Sequence, residues 1–396
     1  MANRRQFLKG LSMCMAAQPI MSMARNKAGK RLSLWVGSCS MRGAKNGIFH
    51  SWFDPATGTL SEPVLAAETQ QPSFFTTMKD ARGRQVLYTV NELDADKSTV
   101  TAFAIDETAG TLTQINSAAS VIGGPTYISA RPSTHTLYTA NYTGSGLSVF
   151  HARPDGALDP VIQHIDTRDT ARFGTPGPHV RQGISHPHST QLSPDGKFVI
   201  VNDLGDDSID IFAVAPDGRL SDAGPTLVKV PPQTGPRHVA FHPNGKWVYG
   251  IDELDNTLRL YAWEEKGSAA TLRYLDESIL TTAPGTPAPA AGRPWTASEV
   301  AISPDGRFLY ACTRGDDSLT VFAIDAKTGK LNFKQRIGTG GRTPRFFGLD
   351  PTANWIICCN NNSPAVTLFK RNPADGSLSG PVQTLAIESP EYALFT

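Results

Sequence analysis

The chain has 396 residues, with 37 Lys and Arg against 36 Asp and Glu, and includes nine His, 35 Gly, 29 Pro and five Cys. A net charge of +1 leaves no surplus positive potential for a phosphate backbone, so nucleic acid is not an expected partner. With 40% apolar and 18% charged residues, and no apolar run as long as the ~18 residues of a membrane span, the composition is that of a folded chain with a sizeable core and no stable membrane insertion.

The first two dozen residues read as an address. Asn3-Arg4-Arg5-Gln6-Phe7-Leu8-Lys9 is a paired-arginine head, a modestly apolar stretch runs from Leu11 to Met23, and Ser22-Met23-Ala24 supplies small residues at a cleavage site. Residues 1–24 thus resemble a twin-arginine export signal. The expected mature chain, residues 25–396, is a single domain in the periplasm or outside the cell, with the twin-arginine export machinery as a transient partner. Export permits disulfides, but Cys312 and Cys359 fall at the same position of neighbouring repeats. One sheet-packing distance, ~10 Å, is too far for a bridge. The cysteines are expected to be buried small hydrophobes.

From Leu32 onward one phrase recurs: an apolar strand, a Pro-Asp-Gly type turn, a second strand, a polar loop and a third strand. Clear copies begin at His188, Arg237, Ser298 and Arg345, with turns at Pro194-Asp195-Gly196, Pro243-Asn244-Gly245 and Pro304-Asp305-Gly306. Such turns between alternating runs make hairpins. The centres of the second strands are Trp35, Tyr88, Tyr138, Ile200, Tyr249, Tyr310 and Ile357, spaced by 53, 50, 62, 49, 61 and 47 residues. Seven units of three or four strands predict an all-β, seven-bladed β-propeller. The chain opens on a second-type strand, Leu32 to Val36, that lacks a first strand. The last segment, Glu391 to Phe395, follows Pro390 as first strands elsewhere follow proline, so it is expected to complete the N-terminal blade and close the ring. Two loops break the period, Asp166 to Gly183 and Ala283 to Pro294; the first is expected to carry His179, Arg181 and His186 toward the axis.

In a propeller the start of each first strand and the end of each second strand lie at one end of the channel. The residue twelve before the centre is Thr126, His188, Arg237, Ser298 or Arg345, with Ser73 and Glu391 as the equivalents in the two remaining units. Three to four positions past the centre lie Asn91 and Glu92, Asn141 and Tyr142, Asp203, Asp252 and Glu253, Thr313 and Arg314, and Asn360 and Asn361. A polar ring at one mouth follows. Forked guanidiniums of Arg237, Arg314 and Arg345 suit a carboxylate or phosphate, His188 suits acid or base work, and Glu253 suits a second base; mutual ion pairing across blades is the competing, purely structural use. A metal site is not expected: Pro187 interrupts His186-Pro-His188, His238 and Arg237 point to opposite faces of their strand, and His242 sits in the serine or aspartate slot before a turn proline. There is no Gly-rich phosphate loop and no Gly-x-Ser-x-Gly elbow.

The run Gly235-Pro236-Arg237-His238-Val239-Ala240-Phe241-His242-Pro243-Asn244, with Asp252-Glu253-Leu254, resembles the seven-bladed lactonase family, which includes a bacterial 6-phosphogluconolactonase and the carboxymuconate lactonizing enzymes. Gly124-Pro125-Thr126-Tyr127, Asn141-Tyr142, His188-Ser189, Tyr310 to Arg314 and Thr343-Pro344-Arg345 extend the likeness over almost the whole chain after residue 24. The resemblance implies hydrolysis of a sugar lactone without metal or organic cofactor, with His188, Arg237, Glu253 and Arg314 catalytic, and with Asn141, Arg345 and Thr126 binding substrate. Glu253 or His188 would be the general base. It also leaves open a carboxymuconate cycloisomerase, or a propeller that binds a ligand or protein without catalysis. Because phosphorylated gluconolactone is made in the cytoplasm, an exported member is expected to prefer an unphosphorylated lactone.

Overall fold

The computed structural model describes residues 31–39, 46–94, 97–280 and 294–396. The expected export signal, and residues 283–293 of the second long loop, lie outside them. Among the described residues seven antiparallel sheets form seven blades, six of four strands and one of five. The first strands are Pro390–Phe395 in blade 1, Phe75–Lys79 in blade 2, Pro125–Arg131 in blade 3, Pro187–Leu192 in blade 4, Pro236–Phe241 in blade 5, Thr296–Ile302 in blade 6 and Pro344–Leu349 in blade 7. The expected closure is present: Leu32–Ser38 pairs antiparallel with Pro390–Phe395, matching Leu34 with Phe395 and Val36 with Ala393. Thr396 extends the joint, accepting on Oγ1 from Trp35 Nε1 at 2.9 Å.

Blades adhere through apolar faces of alternating strand residues. Tyr249, Ile251 and Leu258 of blade 5, for example, pack with Val300, Leu309 and Ala311 of blade 6. The tyrosines at second-strand centres add a directional clasp. Tyr88, Tyr138, Tyr249 and Tyr310 donate to the carbonyls of Gly156, Gly218, Gly329 and Gly376, each in the outer turn of the next blade, at 2.6–2.9 Å. Each such bond contributes ~1 kcal/mol net. Gly218 shows why the turn needs glycine: its φ is +88°, and a Cβ there would lie 2.3 Å from a Thr136 methyl.

What positions the site is a repeated β-bulge. Proline opens five of the first strands, where a missing N–H is tolerated. In blade 4 Pro187 pairs with Asp203 and Ser189 with Asn202, leaving His188 as the extra residue. The same shift leaves Arg237 extra in blade 5, Arg345 in blade 7, Thr126 in blade 3 and Glu391 in blade 1. A bulge re-aims one side chain out of the alternating pattern, so these five residues turn toward the axis at one mouth. One residue further along come Phe74, Tyr127, His238, Phe346 and Tyr392. Their rings pack across the axis, with Phe74 3.8 Å from Tyr392 and 4.0 Å from Tyr127 between centroids. The channel is thereby floored, and the mouth is a cup. Cys39, Cys312, Cys358 and Cys359 are all free and buried, as expected; burial pushes the Cys312 thiol up to about 12.

Candidate active site

Glu253 is the hub of the mouth. It lies one residue beyond Trp247–Asp252, the second strand of blade 5, and is 1% exposed. Its Oε2 accepts from Arg237 Nε at 3.0 Å and pairs with Arg314 Nη2 at 2.8 Å. Its Oε1 is held by Arg181 Nη1, and His188 Nε2 lies 3.9 Å from Oε2. Four of the sequence-derived candidates, His188, Arg237, Glu253 and Arg314, are therefore brought together, from blades 4, 5 and 6. The arginines are fixed from behind as well: Arg237 Nη1 donates to the Ser298 carbonyl, and Arg314 Nη2 to the Ala297 carbonyl at 3.0 Å.

The electrostatics follow from three cations around one carboxylate. Burial pushes the Glu253 carboxyl up, but Arg314, Arg181 and Arg237 outweigh it and hold it well below the usual carboxylate range. Burial and the charge of Arg314 bring Arg237 down to about 10, so it stays cationic at neutral pH. Burial, then Arg237, His238, Arg345 and Arg314, hold the His188 imidazole well below its usual value. The arrangement is an ionised Glu253, charged guanidiniums and a neutral His188. A carboxylate so strongly stabilised is a weak base. The imidazole, held low by burial and the same cations, is weakened as a base too, and it differs from Glu253 in that its Nδ1 makes no hydrogen bond among the described residues.

The remaining expected site residues divide. Arg345 reaches the mouth on the far side, where its guanidinium contacts Glu92 Oε2 at 3.3 Å and the Glu391 carboxylate. Its ion pairs are with Glu92 and Glu391 rather than with Glu253, although it shares the wall of one small cavity with His188 and Arg237. Thr126 lies at the cup with its hydroxyl donating to the Gly124 carbonyl at 3.1 Å. Asn141 does not reach the mouth: it is fully buried and donates to Ser148 Oγ at 3.1 Å within its own blade. The reason is general. The residue three past each centre, Asn91, Asn141, Asp203, Asp252 or Asn360, ends the second strand and turns into the blade. The residue four past it, Glu92, Tyr142, Glu253, Arg314 or Asn361, turns to the mouth, and Tyr142 takes the place expected for Asn141.

Arg181 is the partner that periodicity alone does not number among the catalytic residues. It sits on the irregular loop between Gln163–Asp166 and Pro187–Leu192, and its side chain is 41% exposed. Its Nη2 also donates to Tyr142 Oη at 3.3 Å. Tyr142 stacks on His186, ring centroids 4.4 Å apart, and His186 Nδ1 is 2.8 Å from the Tyr142 carbonyl. The loop is pinned below by Gln182 Nε2, which donates to Asp207 Oδ1 at 2.7 Å and to the Leu204 carbonyl at 2.8 Å. Under His188 lies a second pair the sequence reading omits, His238 Nδ1 with Glu299 Oε1 at 3.0 Å. No group of three or more His, Cys, Asp or Glu among the described residues has the geometry to hold a metal.

Outside this cluster a pocket of about 1190 Å³ opens over blades 1, 2, 3 and 7, with Glu92, Asp94, Arg342, Arg345, Asn361 and Glu391 on its wall. It is wide enough for a sugar-sized ligand. A family model described as a lactonase, 7-bladed beta-propeller, matches residues 33–395. A Bacillus subtilis protein named 6-phosphogluconolactonase is 31% identical over 91% of this chain and 97% of its own length. One of the same name from Formosa agariphila is 30% identical over 92% and 99%. The structure of a Pseudomonas aeruginosa periplasmic gluconolactonase superposes with a TM-score of 0.79 and 30% identity, covering 92% of this chain and 99% of that one.

Proposed function

The chain belongs to the seven-bladed β-propeller lactonase family, a family of lactone hydrolases, and we propose that its substrate is an unphosphorylated sugar lactone, opened at the mouth by His188, Arg237, Glu253 and Arg314. His188 is the general base. It is neutral, its Nε2 faces Glu253, and its Nδ1 has no hydrogen-bond partner among the described residues. A well-placed base is worth ~10²–10⁴ in rate. Arg237 and Arg314 stabilise the oxyanion that forms as water adds to the lactone carbonyl. Because Glu253 and backbone carbonyls fix both guanidiniums beforehand, little reorganisation is needed as charge develops.

The observation that carries this reading is the gathering of three guanidiniums and one neutral imidazole around a single buried carboxylate. The charge is also asymmetric. Arg181, Arg237 and Arg314 against Glu253 leave the blade 4 to 6 side positive, where an oxyanion and then a product carboxylate belong. On the opposite wall Arg342 and Arg345 stand against Glu92, Asp94, Glu388 and Glu391, leaving it negative, which suits the hydroxyls of a neutral polyol tail and opposes a phosphate. The Pseudomonas relative named a periplasmic gluconolactonase agrees with that choice of substrate.

We further propose that residues 1–24 direct export to the periplasm through the twin-arginine machinery; exchanging Arg4 and Arg5 for lysine should retain the protein in the cytoplasm on cell fractionation. The activity test is acid release from glucono-1,5-lactone, followed with a pH indicator against the uncatalysed rate, beside the 6-phosphorylated lactone. Faster opening of the unphosphorylated compound is expected. A rate no greater than the uncatalysed one for both would overturn the assignment.

A further inference from the structure

Resting on that reading, we infer that the hydrolytic water occupies a single-molecule site on the propeller axis, between the Ser73 hydroxyl and His188 Nδ1. A small cavity lies just inside the mouth, bounded by Ser73, Thr126, His188, Arg237, Arg345 and Glu391. About 10 Å³ of it is open to the centre of a water-sized sphere, which is the room one water needs, given two to four polar partners. The large pocket shares Ser73, Arg345 and Glu391 with it, so these three form the neck between the two spaces.

Besides Glu391 Oε2, which is ion-paired with Arg345, two side-chain atoms at this cavity are buried and make no hydrogen bond among the described residues: Ser73 Oγ, in a residue 4% exposed, and His188 Nδ1, in a residue 6% exposed. A buried donor or acceptor left unsatisfied costs ~1–3 kcal/mol, and two at one cavity point to a shared polar ligand. Water fits both. It donates to His188 Nδ1 and exchanges a hydrogen bond with the Ser73 hydroxyl. Glu391, with one oxygen held by Arg345 and the other by Asn361, supplies a further acceptor at the neck.

The chemistry balances without a co-reactant. A water O–H bond breaks as the oxygen bonds to the lactone carbonyl carbon, and the proton passes to His188 Nδ1. The carbonyl electrons collect on the oxyanion beside Arg237 and Arg314. As they return, the ring C–O bond breaks and the departing alkoxide recovers the proton from His188, leaving a hydroxy acid. The nucleophile thus arrives from the axis and the substrate from the outer pocket, and Ser73 is a positioning residue.

A space in which about 10 Å³ is open to the centre of a water-sized sphere should favour water over methanol. With glucono-1,5-lactone in aqueous methanol, the wild-type chain should form acid and essentially no enzymatic methyl ester, whereas Ser73→Gly, which enlarges the cavity, should form methyl ester as well. Ser73→Ala should lower kcat at least tenfold with KM and melting temperature unchanged, and a crystal structure of the unliganded chain should show a water bonded to Ser73 Oγ and His188 Nδ1. Methyl ester from the wild type in proportion to methanol, an unchanged kcat in Ser73→Ala, or density with no water there would overturn the water site and leave the lactonase reading intact. Absence of acid release from any aldonolactone would instead overturn the lactonase reading, and the nucleophilic role with it.

Discussion

Replacing Glu253 by Gln keeps the size of the side chain and removes the one charge that Arg181, Arg237 and Arg314 share. Arg237 is 2% exposed, so its cation loses the carboxylate it is hydrogen-bonded to. Breaking a buried ion pair from one side costs ~3–5 kcal/mol. At ~2.1 cal/mol/K per residue, the unfolding entropy over residues 33–395 is about 0.8 kcal/mol/K, which makes the expected fall in melting temperature about 4–6 °C. With the guanidiniums no longer held, kcat/KM should drop ~10²–10³, the usual cost of losing one oxyanion donor. The effect has a signed pH dependence. Glu253 is held below its ordinary value when folded, so the unfolded chain binds the extra proton; the stability it contributes is present above ~4.3 and is lost as pH falls below that. Calorimetry of wild type and Glu253→Gln at neutral and acid pH, with the indicator assay alongside, reads both parts. An unchanged melting temperature at neutral pH, or a gap between the two proteins that widens toward acid, would refute the reasoning.

His188→Ala should lower the rate by ~10²–10⁴ without loss of the fold, and because burial and Arg237 keep His188 neutral well below its usual range, the wild-type kcat/KM should stay level through pH ~6.5 and decline only in more acid solution; a half-maximum at the ordinary histidine value would contradict this. Arg181→Ala, at a half-exposed side chain, should cost no more than ~1 kcal/mol of stability yet measurably lower kcat/KM, as thermal melts and initial rates will tell. Burial and the charge of Asp203 push Asp206, beneath the Arg181 loop, up to about 7. A carboxyl raised above its unfolded value of ~3.9 loses its contribution as pH climbs from there. Asp206→Asn should accordingly melt higher than wild type at pH 8 and alike near pH 4, and melts that differ in the opposite order would discount the buried acid.

The ring and its closure were legible because hairpin turns, prolines and a missing first strand are local signals repeated seven times. The mouth was legible in part. His188, Arg237 and Arg345 could be found by counting back from each centre, since the proline before them fixes where a first strand begins. The bulge that re-aims them could not, because it is a property of strand pairing, and a sequence shows spacing but no partner. Counting forward met the same limit. Asn141 and Tyr142 are adjacent and both polar, and only the twist at the strand end decides that the first turns inward and the second outward. Arg181 lies on a loop outside the repeat, so no column numbers it. The aromatic floor of Phe74, Tyr127, Phe346 and Tyr392 is one residue beyond the mouth column, where an ordinary strand residue would face the neighbouring blade.

The most direct measurement is a crystal structure of the chain soaked with the aldonate formed from its lactone. The expected result is a carboxylate lying against Arg237 and Arg314, within hydrogen-bond reach of His188, and a polyol tail along Glu92 and Glu391. An aldonate bound only on the outer wall at Arg342, with the cluster around Glu253 untouched, would contradict catalysis at this mouth.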